Sequence, residues 1–379
     1  MTMKRLTPLA VLVAALAMLP AVASAQVPAV DAESDAAAAL KALGANISRN
    51  DDGEVWSVVL DYGRQVSGFG DNDVVHLTKL NWAEGVPGDH DFPKIFGVVP
   101  SHPAPFLILV DTKLTDAGIE QMKALTQIRY FNLNGNKGIT DAGLASFVKS
   151  HKKVEELLLM GTSVSDDGLE HLKALPKLHG LRVGTIGTTK VTNAGLENLK
   201  ALNNLTRLGL TGLGVTDAGL MQLQERIGLK VLLLKGTKIS NAGLVNLKGM
   251  VGLRKLDIGD TEITDAGLVH LKDLTKLEKL VLRGSKVDDE GIVYLKGLSN
   301  LRWLLLDRTD ISDDGLIQLV HLKGLKYLTL RETNISDKGL AHLKELTNLE
   351  SLNLVGTDVS QEGVGKLQEA LPECDIAYQ

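Results

Sequence analysis

A period of 24 residues runs through the chain and restricts what it can fold into more than any other feature. From Leu277 the sequence reads LEKLVLRGSKVDDEGIVYLKGLSN and from Leu301 it reads LRWLLLDRTDISDDGLIQLVHLKG, so apolar residues recur at positions 1, 4, 6, 11, 16, 19 and 22. A glycine marks position 15 of each copy, eleven times from Gly118 to Gly363. Positions 4 and 6 alternate as in a strand, whereas 16, 19 and 22 share one face of a short helix. Each unit therefore reads as strand, loop, helix, loop. The aliphatic side chains of one unit cannot offset the entropy of ordering its backbone, so the units must stack on one another.

Position 12 is serine or threonine and position 13 aspartate or asparagine, as in Thr264-Asp265, Ser312-Asp313 and Ser336-Asp337. Such a pair starts a helix: its oxygens satisfy free amides, and the acid faces the positive helix end. The acidic column is read as structural rather than as a calcium site. The threonines at position 9 (Thr162, Thr237, Thr261, Thr309, Thr333 and Thr357) are expected to form a hydrogen-bonded ladder between turns, interrupted by Leu213.

The resulting motif, LxxLxLxGTxITDAGLxxLKxL, resembles leucine-rich repeats, with threonine where many members carry asparagine. Its TDAGL helix entry is similar to that of bacterial repeat proteins and is related in pattern to ribonuclease-inhibitor-like and F-box-associated repeats. The resemblance covers about Ala104 to the end. It implies an α/β fold: a right-handed leucine-rich repeat solenoid, horseshoe or arc, with parallel strands on the concave face and short helices on the convex face. It implies a protein-binding role without naming a partner.

Outside the repeats, residues 1–25 read as a secretory signal. Lys4 and Arg5 open it, an apolar run from Leu6 to Leu19 follows, and Ala23-Ser24-Ala25 forms a cleavage site. That run is shorter than the ~20 residues needed to span a bilayer, so a secreted or periplasmic location without a membrane span is expected. Residues 26–80 read as an N-terminal cap with an alanine-rich helix over Asp35 to Leu43, a hairpin-like stretch from Trp56 to Leu60, and a degenerate first turn over Asp71 to Leu77. Residues 81–105 form a proline-rich insertion, whose rings Trp82, Phe92 and Phe96 are expected to pack over Phe106, Ile108 and Val110. The solenoid proper is assigned to 106–370 and a C-terminal cap to 371–379, with Cys374 read as a buried small apolar residue.

Composition narrows the function. The chain carries a net charge of −5, and removing Lys4 and Arg5 makes it more acidic, which argues against nucleic-acid binding. One cysteine among 379 residues allows neither an internal disulfide nor a cysteine-built zinc cluster. His171, His270 and His342 share position 18 but lie three or four turns apart, too far to share an ion. Asp89-His90-Asp91 and His102 in the insertion are the one place where a metal or catalytic group is conceivable. There is no GxSxG elbow, HExxH helix or phosphate-binding loop, and the GLTGLG stretch from Gly209 belongs to a repeat. No enzyme activity, cofactor or metal is expected.

The strand side chains at positions 3, 5 and 7 point away from the leucines. On that face Trp303 and Tyr327 occupy one column on adjacent turns, flanked by Arg283, Arg331 and Asp307. Trp, Tyr and Arg are the residue types enriched at binding hot spots. The cluster is read as an anchor for a protein or peptide, with Lys235, Lys255 and Lys279 attracting its acidic part, on a chain expected to be monomeric. A structural solenoid of the cell envelope and a ubiquitin-ligase-type substrate receptor are the alternatives.

Overall fold

The computed structural model describes residues 32–49, 52–61, 69–82, 105–184 and 190–379. The signal segment and nearly all of the proline-rich insertion, including Phe92, Phe96, Asp89-His90-Asp91 and His102, lie outside the described residues.

Period-two alternation builds the strands into one sheet whose spatial order is the chain order. It begins with β1 (Asn46–Arg49) antiparallel to β2 (Val55–Asp61), after which every neighbour is parallel: β3 (Phe106–Val110), β4 (Tyr130–Asn132), β5 (Glu156–Leu158), β6 (Gly180–Arg182) and β7 (Arg207–Gly209). The series continues through β8 (Val231–Leu233), β9 (Lys255–Asp257), β10 (Lys279–Val281), β11 (Trp303–Leu305), β12 (Tyr327–Thr329), β13 (Ser351–Asn353) and β14 (Asp375–Ala377). Registry is unbroken at the core position, where Leu208, Leu232, Leu256, Leu280, Leu304, Leu328 and Leu352 lie side by side and fully buried.

Before the repeats, α1 (Ala32–Ala42) buries Ala36 and Leu40, and α2 (Val74–Thr78), entered through a tighter turn at Asp71–Asp73, buries Val74 and Leu77. Trp82 departs from its expected place. It lies in the main core, held by its indole N–H donating to the Leu77 carbonyl at 2.9 Å, and its backbone bridges to Val55. Phe106 and Ile108 are nonetheless buried, in a second, smaller cluster with Trp56, Tyr130 and Leu158. At the other end β14 closes the stack. Cys374 is buried there, and burial raises its thiol to about 11, so it is a protonated packing residue near neutral pH.

The turns are tied together by a polar seam along the helix starts. In α3 (Asp116–Gln121) the N-cap hydroxyl of Thr115 accepts from the Ala117 amide, and α4 (Asp141–Ser150) repeats this with Thr140 and Ala142. The position-13 acid does something else. Asp116 accepts from the next turn's Thr140 twice, from the amide at 2.8 Å and from the hydroxyl at 2.6 Å. Asp141 serves Ser165, Asp166 serves Thr192, Asp217 serves Ser240, and Asp337 serves Ser360 in the same way. This explains the glycine at position 15: a Cβ on Gly243 would fall 2.3 Å from the Asp217 carboxylate oxygen, and one on Gly143 would fall 2.1 Å from that of Asp116. The glycine is the space into which the preceding turn's acid fits.

The expected threonine ladder is absent in that form. Each position-9 hydroxyl donates to the carbonyl three residues back in its own turn, Thr237 to Leu234 at 2.7 Å and Thr309 to Leu306 at 2.6 Å. A hydroxyl on one carbon stops at that nearest acceptor. The longer amide of Asn136 reaches both its own Leu133 carbonyl and, at 2.7 Å, the Leu109 carbonyl of the preceding turn.

Candidate functional site on the strand face

Alternation that buries positions 4 and 6 leaves 3, 5 and 7 facing outward, and β9, β11, β12 and β13 each have a buried centre between partly exposed flanks. Parallel registry aligns the outward residues into rows. One row runs Arg207, Val231, Lys255, Lys279, Trp303, Tyr327, each paired with the next.

Trp303 and Tyr327 meet within this row. Their ring centroids are 5.4 Å apart and their planes 2° from parallel, which the strand spacing imposes on flat side chains at one position. Both rings are half-buried. The Tyr327 hydroxyl donates to Glu350 at 2.7 Å, Lys326 bonds the same carboxylate, and the carboxylate pushes the Tyr327 pKa upward.

The flanking charges are organised by Asp307, which is 3% exposed. Its carboxylate accepts from Arg283 Nε at 2.7 Å and Nη2 at 2.6 Å, and from the Arg331 backbone amide at 3.0 Å. Asp307 therefore positions the two arginines rather than facing outward, while the Arg331 side chain stays exposed. Lys235 reaches Asp260 at 3.3 Å. Lys255 and Lys279 lie side by side, and burial together with the Lys279 and Arg182 charges lowers the Lys255 pKa.

A residue with a left-handed backbone follows each of β3 to β13, in most turns three residues past the strand end. Most turns use glycine there, such as Gly236 at φ 67° and Gly284 at φ 66°, but Asp111, Asp260, Arg308 and Glu332 hold φ 51–53° without one. Left-handed geometry costs a non-glycine residue roughly 1–2 kcal/mol. The last three belong to the turns of Lys255, Trp303 and Tyr327, and Arg308 donates to Asp260 at 3.1 Å across Gly284. Sequence reasoning missed them. The signal available was the loss of glycine from position 8 in these turns.

Nearer the N-terminus the outward positions 3 and 5 are not all open. Tyr130, Glu156 and Leu158 are buried rather than presented. Glu156 lies flat across Gly180 to bond Arg207 two turns on, and Arg182 lies across Gly209, where a Cβ would sit 3.0 Å from its Cγ. Between them is a shallow hollow lined by the aliphatic side chains of Leu158, Val231 and Leu233. Sequence reasoning passed over Arg182 and Arg207, because the stretched spacing around 184–189 hides the register. Among the described residues no group of three His, Cys, Asp or Glu side chains is arranged to hold a metal, and no helix is long and apolar enough to cross a membrane.

Stacked strand-and-helix turns, a leucine core and an outward strand face define a leucine-rich repeat solenoid. Four stretches, residues 125–148, 253–271, 273–296 and 345–367, match the Leucine Rich repeat family model. The fold is similar to the crystal structure of an internalin from Listeria monocytogenes, with a TM-score of 0.56 and 20% identity over 92% of this chain and 94% of that one. An internalin C2 from the same organism is 26% identical over 56% of this chain and 83% of that one, at a TM-score of 0.44. No curated protein matches the chain.

Proposed function

We propose that this chain is an exported, non-catalytic binding module that presents its concave strand face to a protein or peptide. The observation that carries the reading is the parallel Trp303–Tyr327 stack, set beside Lys279 in one row and left half-exposed. Two rings on rigid strands offer contact area at low entropic cost, and arginine beside them is the usual hot-spot company. Three of the four non-glycine left-handed residues among the described residues lie in these turns, which supports the reading, since backbone strain gathers where a side chain is needed for something other than folding. Residues 1–25 supply the export signal, and the mature chain begins at Gln26.

The test is affinity capture with the mature chain, followed by titration of the captured partner. Replacing Trp303 and Arg331 together by alanine is expected to weaken binding by about 30-fold or more, with the fold unchanged by circular dichroism. Unchanged affinity in that double variant sinks the site assignment.

A further inference from the structure

Charge is segregated on this molecule. The chain carries −5 overall, yet the strand face from β5 to β10 holds Arg182, Arg207, Lys235, Lys255 and Lys279 against Glu156, Asp257 and Asp260. The acids there are already engaged, Glu156 by Arg207 and Asp257 by the Gly259 amide at 3.1 Å. Lys235 is held by Asp260. The Arg182 side chain has no hydrogen-bond or ion-pair partner among the described residues, although burial and the nearby Arg207 charge press its pKa below the ordinary guanidinium value. A desolvated, like-charged cation without an acceptor is a group whose free energy falls when an anion arrives. Its place in the fold is specific. Gly209 beneath it removes the Cβ that would lift the side chain off the sheet, and a shallow hollow lined by Leu158, Val231 and Leu233 lies beside it.

Resting on the concave-face reading above, we propose that this hollow receives a carboxylate of an acidic peptide segment on Arg182, while a residue further along the same segment packs on Trp303. The row geometry sets the spacing. Arg182 on β6 and Trp303 on β11 are five strand steps apart, roughly 24 Å at ~4.8 Å per step, which an extended chain of ~3.4 Å per residue covers in about seven residues. Lys255 and Lys279 lie along the path, so further acidic residues between the two anchors add affinity. A polypeptide fits better than a regular polyanion, because the path alternates cations with the aliphatic Val231 and Leu233 and ends on stacked rings.

The experiment is selection of a random peptide library, about twelve residues long, on the mature chain, repeated on Arg182→Gln and on Trp303→Ala. Enriched peptides carrying Asp or Glu six to eight residues from an aromatic or large aliphatic residue are the expected result. Replacing that acid by its amide should weaken binding to the wild type by about tenfold or more and leave binding to Arg182→Gln unchanged, since the two changes delete one contact. Peptides that depend on Trp303 but carry no such acid, or that bind Arg182→Gln as tightly as the wild type, overturn this proposal and leave the concave-face reading standing. Peptides indifferent to both substitutions overturn both. A sulfated polysaccharide that displaces the selected peptide through Arg182 at lower concentration than the peptide itself overturns the assignment to polypeptide.

Discussion

At the scale of single residues, the position-13 acid and the position-15 glycine are one device divided between neighbouring turns. The Asp217 carboxylate fills the space that Gly243 leaves and holds both donors of Ser240. Gly243→Ala is expected to cost about 2–3 kcal/mol, from overpacking and from displacing charge-assisted hydrogen bonds. Gly214→Ala, with nothing within 4 Å of its new Cβ, should stay within about 0.5 kcal/mol of the wild type. Once Asp217→Ala has emptied the space, adding Gly243→Ala should cost little more, and urea titration of the four proteins checks this cycle. Fully additive losses would show that glycine is kept for another reason. The sequence displays both columns clearly, yet not their relation. Reading Thr264-Asp265 along the chain suggests a local helix cap, whereas the acid's main partners, as with Asp217 and Ser240, lie 23 residues away. The threonine column misled for the mirror-image reason: its partner is three residues back, not a turn away.

At the scale of elements, α4 and β4 show how a repeat accommodates aromatic residues. Phe131 and Phe147 meet edge to face at 5.0 Å, and the His151 ring at the end of α4 stacks on Phe147 at 4.2 Å and 6°. His151 Nδ1 donates to the Phe147 carbonyl at 3.0 Å, and the residue is fully buried. Burial lowers its pKa, against a smaller opposing contribution from that hydrogen bond. The unfolded chain therefore takes up the proton first as pH falls. The contribution to stability is complete above about pH 6.5 and is lost as pH drops toward the depressed folded value. Urea midpoints at pH 7 and pH 5 should show the wild type losing ground to His151→Phe on acidification, and an unchanged difference contradicts the assignment. Strands and helices of the regular turns were legible from period alone, as at β10 and β11, because every turn repeats the same burial. Trp82 was not, since its place depends on the carbonyl at the end of α2, which no repeat position encodes.

For the molecule as a whole, nearest-neighbour stacking makes the number of turns adjustable. Deleting residues 241–264 joins Ser240 to Asp265 and leaves Asp217 facing the seat at Gly267 that Asn241 now fills. The shortened chain is expected to unfold in one transition with a urea m-value lower by roughly a tenth, in proportion to the surface lost. Two separate transitions would mean that the stack is held by something other than neighbour contacts. The aromatic half of the candidate site was legible, because Trp303 and Tyr327 sit at one position of adjacent repeats. The Arg182 half was not, because long side chains lying over Gly180 and Gly209 cross turns in a way that position counting does not reveal.

The strand ladder and the seam grip each turn at two fixed points, and the stretch of chain joining them is free to differ in length. Asp166 and Thr192 are 26 residues apart where later pairs are 23 apart, yet they bond at the same 2.7 and 2.6 Å. That stretch, following the left-handed residue of each turn, is where foreign sequence can be grafted at the rim without the rest of the coil registering its arrival. New recognition loops can be acquired there one turn at a time, on a scaffold that already holds their neighbours still.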